Sequence, residues 1–337
     1  MKKILILGIN GFIGNQLIKK ILSSTDNEIY GMDLTNNKLG HSLANPRLHF
    51  TEGDITINQE WIEYHVKKCD LILPLVAIAT PGTYVSDPLR VFELDFEANL
   101  PIIRHCVKYK KRLIFPSTSE VYGMSPDTEF DEETSPLMQG PINRERWIYS
   151  CSKQLLDRII YAYGKHEGLN FTLFRPFNWI GPTQDDIHNL PKGGVRVITQ
   201  FISNIFYGKN IQLVDGGSQR RCFTYIDDAM EALVKIIENQ DNCAEGKIFN
   251  IGNPNNDISI AEVATKLLTI AKKYPKYNTK IEKIKILNTP GNQYYGDGYQ
   301  DMKLRIPSIE RAKTILNWEP KTSINDALEK IADYYLS

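Results

Sequence analysis

The segment that most restricts the fold lies at the start of the chain. Lys3-Ile4-Leu5-Ile6-Leu7 is an apolar run of strand length, and it leads directly into Gly8-Ile9-Asn10-Gly11-Phe12-Ile13-Gly14, which opens an amphipathic stretch. Glycines at these spacings permit a tight turn. They also let backbone amides approach a pyrophosphate at a helix N-terminus, where the helix dipole favours negative charge. Such a triplet is common by itself, but at a strand–turn–helix junction it predicts a dinucleotide-binding βαβ unit. Asp33 closes the second expected strand, where a carboxylate accepts both ribose hydroxyls of NAD and repels the 2′-phosphate of NADP. Gly8, Asn10, Gly11, Phe12, Ile13, Gly14 and Asp33 are therefore the expected NAD contacts. Asp54 and Ile55, after the third strand, are placed to meet the adenine.

The rest of the first half keeps this rhythm. Apolar runs at residues 28–34, 49–54, 70–77, 112–117 and 171–177 alternate with helical patterns at 12–22, 58–67, 95–109 and 147–167. That alternation predicts an α/β fold: a Rossmann-like, doubly wound parallel sheet covered by helices on both faces. In the last helix Ile148, Leu155, Leu156, Ile159 and Ile160 recur at helical spacing. Beyond residue 178 the texture changes. Gly and Pro or Asn cluster at Gly181-Pro182, Gly193-Gly194, Gly216-Gly217 and 253–256, between shorter helical patterns at 195–206, 227–238, 260–272, 308–316 and 324–335. The expected division is an NAD-binding domain over 1–178 and a smaller C-terminal α/β substrate domain over 179–337, with late segments free to return to the first sheet.

Composition narrows the partners. The chain has 337 residues, 42% hydrophobic and 24% charged, enough to bury a substantial core. Forty Lys and Arg balance forty Asp and Glu, so no net field draws it to nucleic acid or an anionic membrane, and any anion must be held locally. The apolar start is too short to span a bilayer and lacks a small-residue cleavage site. Cys69, Cys106, Cys151, Cys222 and Cys243 are scattered and never form CxxC, which predicts reduced, buried thiols in a cytoplasmic protein. The six histidines show no HxxxH spacing, and no metal site is expected.

The chemistry is expected at a second cluster. Tyr149 and Lys153, in Tyr149-Ser150-Cys151-Ser152-Lys153, share one face of the long helix at i and i+4. A neighbouring ammonium, together with a cationic nicotinamide, would lower the phenol's pKa and make Tyr149 a usable base. Upstream, the 112–123 segment brings a strand end and the hydroxyls of Thr118 and Ser119 to the same mouth. Strand, glycine loop, hydroxyl pair and YxxxK in this order make the pattern of an extended short-chain dehydrogenase/reductase.

Within that class the segments LPLVAIATP, FPSTSEVYGM, RWIYSCSKQLLDR, TLFRPFNWIGP, DGGSQRRCFT and YYGDGYQD resemble a narrower family. It is the UDP-glucuronate decarboxylase domain of the bifunctional enzymes that prepare 4-amino-4-deoxy-L-arabinose for lipid A. The similarity runs from Lys3 to about Pro320, without a formyltransferase part. The resemblance implies NAD contacts at Asp33, Asp54 and Ile55. It implies UDP-sugar contacts at Ala79, Tyr84, Thr118, Ser119, Arg146, Asn178, the 212–221 segment and Tyr299. It also makes Glu120 and Arg305 a proton-handling pair beside Tyr149 and Lys153. Gln212 departs from the family, which has lysine there; Arg196 and Arg221 remain to neutralise the diphosphate.

The implied reaction starts with oxidation at C4 of UDP-glucuronate, which puts a ketone β to the C6 carboxylate and so allows loss of carbon dioxide. Related enzymes differ at particular positions. Sugar 4,6-dehydratases carry an Asp–Glu pair where this chain has Ser119-Glu120, and simple 4-epimerases lack the glutamate. Apiose/xylose synthases place cysteines at the positions of Ala79 and Ser119. A UDP-xylose synthase that returns the hydride internally shares the catalytic set, and a non-catalytic nucleotide-sugar sensor would not need it intact. A homodimer is expected through the helices at 95–109 and 147–167, whose Ile102, Ile103, Ile159 and Tyr163 extend beyond one apolar stripe.

Overall fold

The computed structural model describes residues 1–190, 196–302 and 304–337. Gly193-Gly194 and Val195, the expected first residue of a helix, lie outside the described residues. Seven parallel strands form the main sheet: β1 (Lys3–Leu7), β2 (Glu28–Asp33), β3 (Leu48–Glu52), β4 (Leu71–Pro74), β5 (Arg112–Pro116), β6 (Phe171–Pro176) and β7 (Lys247–Ile251). Their spatial order is β7-β6-β5-β4-β1-β2-β3. Strand order reverses between β1 and β4, and in open α/β sheets ligands bind at the carboxyl ends of the strands flanking such a reversal.

Parallel strands are buried on both faces, and β1 shows why its sequence reads as a continuous apolar run. Ile4 and Ile6 point into one core, whereas Leu5 and Leu7 point into the other. The first core is built from α1 (Phe12–Ser24) and later helices, the second from α2 (Gln59–Lys68), α3 (Asn99–Lys108) and α4 (Trp147–Glu167). Helix α6 (Ile226–Glu238) packs beside α1 on the first face, through Ala229, Leu233 and Ile237. That core continues into α5 (Val197–Tyr207), α7 (Ile260–Ala271) and α8 (Ile324–Leu336), so the sheet and the ligand-loop region share one apolar mass.

Several features depart from the sequence reading. No strand was read at residues 247–251; β7 is one of the late segments expected to return to the first sheet, and its backbone pairs with β6. The expected 95–109 helix begins with a π-helical turn over Glu93–Glu97 before α3, and short helices at Pro81–Ser86 and Pro88–Phe92 precede it. Ile102 and Ile103 do not extend the apolar face outwards; both are fully buried against the sheet. On α4, Leu156 and Ile160 face the core while Leu155 is 48% exposed. Cys69, Cys106 and Cys222 are buried, but Cys151 is exposed, one residue after the buried Ser150 on the turning helix surface. No helix among the described residues is long and apolar enough to cross a membrane.

Candidate active site

The glycine loop sits at the strand-order reversal. Gly8 has φ +82°, and a Cβ there would lie 3.0 Å from the Leu75 carbonyl carbon and the Val76 nitrogen, just past β4. A Cβ on Gly14 would stand 2.5 Å from the Gly8 oxygen and 2.6 Å from that of Ile9. These positions make a cradle that a side chain would fill, and it fits the pyrophosphate of a dinucleotide at the start of α1. The loop is tied to β2 by Asp33, whose Oδ2 accepts from the Asn10 amide and whose Oδ1 accepts from that of Leu34, both at 2.8 Å. Burial raises the Asp33 pKa against these backbone donors. The Asn10 side chain donates to Thr35 and Asn37 and accepts from the Lys38 amide, folding the 34–38 loop over the glycine turn. Asp54 accepts from the backbone and hydroxyl of Thr56, which lower its pKa, and Ile55 belongs to the second core.

Beyond the loop opens a cavity of about 400 Å³. Gly8, Phe12, Ile13 and Gly14 line one end; Asn10, Gly11, Asp33, Asp54 and Ile55 are not part of the lining. The remaining wall gathers Ala79, Tyr84, Thr118, Ser119, Glu120, Arg146, Tyr149, Lys153, Asn178, Arg196, Gln212, Arg221, Tyr299 and Arg305. Sequence separations of nearly three hundred residues, from Gly8 to Arg305, are closed by the fold.

Tyr149 and Lys153 are buried on α4, and the Tyr84 ring stacks on Tyr149 with centroids 4.7 Å apart and planes 7° from parallel. The expectation that Lys153 lowers the phenol's pKa is not met by the chain alone. Burial, then the carboxylates of Asp95 and Glu120, push Tyr149 well up, while a hydrogen bond with Thr118 and the charge of Arg196 pull it back. The Lys153 ammonium is directed elsewhere: it donates to the Pro116 carbonyl at 3.1 Å, and burial lowers its own pKa against Asp95 and Asp157.

Glu120 lies in a short turn, Ser119–Tyr122, that leaves the end of β5. Its Oε2 accepts from Arg146 at 2.8 Å and its Oε1 from Arg305 at 3.4 Å, all three side chains being buried. Burial and the neighbouring Arg221 push the Arg305 guanidinium down to about 10, against Glu120 and Asp301. Arg221 donates to Asp301 Oδ1 at 2.6 Å and to the Met302 carbonyl at 2.9 Å. Burial alone would raise Asp301, but Arg221, Arg305 and Arg146 hold it below the ordinary carboxylate value. This part of the wall sets three arginines against two carboxylates, leaving one positive charge. Arg196 and Arg221, expected to neutralise a diphosphate, are each paired here with a carboxylate, Asp185 and Asp301. Gln212 is exposed and accepts from the Thr289 hydroxyl at 3.1 Å. Asn178 turns the chain at φ 44° and donates from Nδ2 to the Cys222 carbonyl.

The sequence reading missed four contributors. Asp301, Tyr294 and Tyr295 line the cavity beside Tyr299, which stacks on Tyr295 at 4.2 Å. All lie in YYGDGYQD, where the density of aromatic and acidic groups was the available signal. Asp95 acts on both Tyr149 and Lys153 from a helical segment; an aspartate within an apolar helix face was its only signature.

A parallel sheet of this order, with a glycine loop at its reversal and a buried tyrosine–lysine pair beyond it, defines an extended short-chain dehydrogenase/reductase. Residues 4–252 match the NAD dependent epimerase/dehydratase family, and the chain belongs to that family. Its cofactor is NAD. Among solved structures, the PbgP3 protein from Burkholderia pseudomallei is 57% identical, with 99% of this chain and 96% of that one covered and a TM-score of 0.90. The fold is also shared with dTDP-glucose 4,6-dehydratase from Bacillus anthracis, at 24% identity, 99% and 96% coverage and a TM-score of 0.79. UDP-glucuronic acid 4-epimerase from Bacillus cereus, solved with UDP-glucuronic acid and NAD, matches at 23% identity, 99% and 98% coverage and a TM-score of 0.80.

Proposed function

We propose that the protein oxidatively decarboxylates UDP-glucuronate to UDP-4-keto-pentose and carbon dioxide. The observation that carries this reading is Glu120 held between Arg146 and Arg305 in the wall that also holds Tyr149, Thr118 and Lys153. Bound NAD supplies the acceptor for the hydride from C4. Tyr149 takes the C4 hydroxyl proton, with Lys153 placing positive charge behind it. The resulting 4-ketone lies β to the C6 carboxylate; when carbon dioxide leaves, its bonding electrons pass to the C4 oxygen as an enolate. Thr118 and Tyr149 donate to that oxygen. Glu120, ionised between its arginines, relays one proton from water to C5, Tyr149 releases to solvent the proton it took from C4, and Arg305 holds the carboxylate until it departs. The one positive charge that Arg146, Arg221 and Arg305 hold over Glu120 and Asp301 suits one carboxylate more than a neutral sugar. Residues 1–178 serve mainly NAD and residues 179–337 the nucleotide sugar, with Asn178 at the junction.

The test is a product time course by NMR with UDP-glucuronate and limiting NAD. The expected result is UDP-4-keto-pentose in a one-to-one ratio with NADH. Many turnovers on catalytic NAD, yielding mainly UDP-xylose, would mean that the hydride returns to the sugar. Unchanged UDP-glucuronate would defeat the reading.

A further inference from the structure

Behind the cavity wall a buried polar chain joins the turn that carries Glu120 to the helix that carries Tyr149 and Lys153. Arg175, in β6, is 2% exposed. It donates from Nη1 to the Tyr122 hydroxyl at 2.8 Å and from Nη2 to Asp157 Oδ2 at 3.4 Å. Tyr122 closes the Ser119–Tyr122 turn, and Asp157 follows Lys153 by one turn of α4. Asp157 Oδ2 also accepts from the Ser117 hydroxyl at 2.6 Å, one residue before Thr118. The Tyr122 hydroxyl in turn donates to Asn250 Oδ1 at 2.8 Å, in β7. None of Arg175, Tyr122 and Asp157 lines the cavity.

Val121 and Tyr122 pack the turn against Phe130 and Phe177, and the Met138 amide donates to the Tyr122 carbonyl at 3.2 Å, while the Arg175 chain adds a polar tie from the turn to β6 and to Asp157 of α4. The turn is four residues long and ends at Gly123, φ +57°, where a Cβ would lie 1.9 Å from the Met138 oxygen. A further tie is Gln139, which donates to the Val121 carbonyl at 2.9 Å and accepts from the Ser150 hydroxyl at 2.6 Å. Tyr149 and Lys153, by contrast, ride on a 21-residue helix anchored by Leu156 and Ile160. Burying a guanidinium and a carboxylate is costly where apolar side chains would fill the space, and a network of this kind selects one arrangement of its members.

We propose that Arg175 is a positioning residue: through Tyr122 it sets where Glu120 stands relative to Tyr149, and the decarboxylation step depends on it more than the oxidation step. The inference rests on the proposed UDP-glucuronate chemistry. Tyr122→Phe removes the hydroxyl and keeps the ring, and Arg175→Lys keeps the charge beside Asp157 but cannot bridge both partners. The experiment is a first-turnover measurement on the full chain with NAD and UDP-glucuronate, following NADH absorbance and labelled carbon dioxide, with thermal unfolding and UDP affinity recorded beside it. In both variants carbon dioxide release should fall about tenfold, as expected for a slightly misplaced group, while the NADH burst changes by less than about twofold. NADH would then exceed carbon dioxide in the first turnover, with UDP affinity unchanged. A purely structural role would lower both signals together in step with the melting temperature, and that result, or no change in either signal, overturns the proposal. If the parent chain makes NADH and carbon dioxide equally, the functional reading stands and the variants alone decide. If the parent chain releases no carbon dioxide, the functional reading falls and takes this inference with it.

Discussion

Replacing Asp95 with asparagine tests the electrostatics under the tyrosine–lysine pair. Asp95 is fully buried; its Oδ1 accepts from the Ile78 amide at 2.7 Å, and its Oδ2 has no hydrogen-bond partner among the described residues. Burial raises its pKa from 3.8 to about 6, against the pull of Lys153 and the Ile78 amide. A carboxyl group that holds its proton more tightly when folded contributes stability that is fully present below the unfolded value and lost as pH rises through the folded one. At about 1.4 kcal/mol per pH unit, the loss between 3.8 and about 6 is about 3 kcal/mol, of which about 1.4 kcal/mol falls above pH 5. Asparagine does not ionise. Relative to the parent chain, Asp95→Asn should therefore gain about 1.4 kcal/mol on going from pH 5 to pH 7.5. The attraction between ionised Asp95 and Lys153 is already part of that raised pKa and adds no separate pH-dependent loss. Urea unfolding of both proteins at several pH values across this range measures the difference. A stability difference that does not change with pH would refute the reasoning.

Four further outcomes follow from the site. Tyr149→Phe keeps the ring stacked on Tyr84 but removes the base, so NADH formation should drop by roughly 10²–10⁴ while UDP-sugar affinity, read by calorimetry, persists. Glu120→Gln and Arg305→Ala should each sharply reduce carbon dioxide release with little change in UDP binding; wild-type release from both would remove them from the mechanism. Because Asp33 holds the glycine loop and its carboxylate would face a 2′-phosphate, turnover with NADP should be far below that with NAD, as paired kinetic runs would show. We expect a homodimer through α3 and α4, where Leu155 and Tyr161 are 48% and 54% exposed, and a monomer in light scattering at micromolar concentration would contradict it.

Local patterning carried much of the fold. The run at residues 3–7 could only be a strand buried on both faces, and the glycines after it could only serve a close backbone turn, because each property is encoded within a few neighbouring residues. The 147–167 helix is equally local: its apolar spacing and the left-handed Gly168 that ends it place its boundaries where the periodicity does. Tyr149 and Lys153 needed only helical geometry to share a face.

What the chain could not announce locally depends on contacts between distant segments. β7 resembles any short apolar stretch until it pairs with β6, and Ile102 and Ile103 look like an interface until the sheet covers them. The charge state of the site is likewise tertiary. Glu120 acquires two arginines from 26 and 185 residues away, Arg221 is claimed by Asp301, and Tyr149 is raised by carboxylates that no spacing rule links to it. The physical reason is that backbone preference acts over a few residues, whereas burial and Coulomb interaction act through space. Sequence alone therefore determined which segments are strands, turns and the catalytic helix. Only the packed fold decided which charges face one another across the cavity.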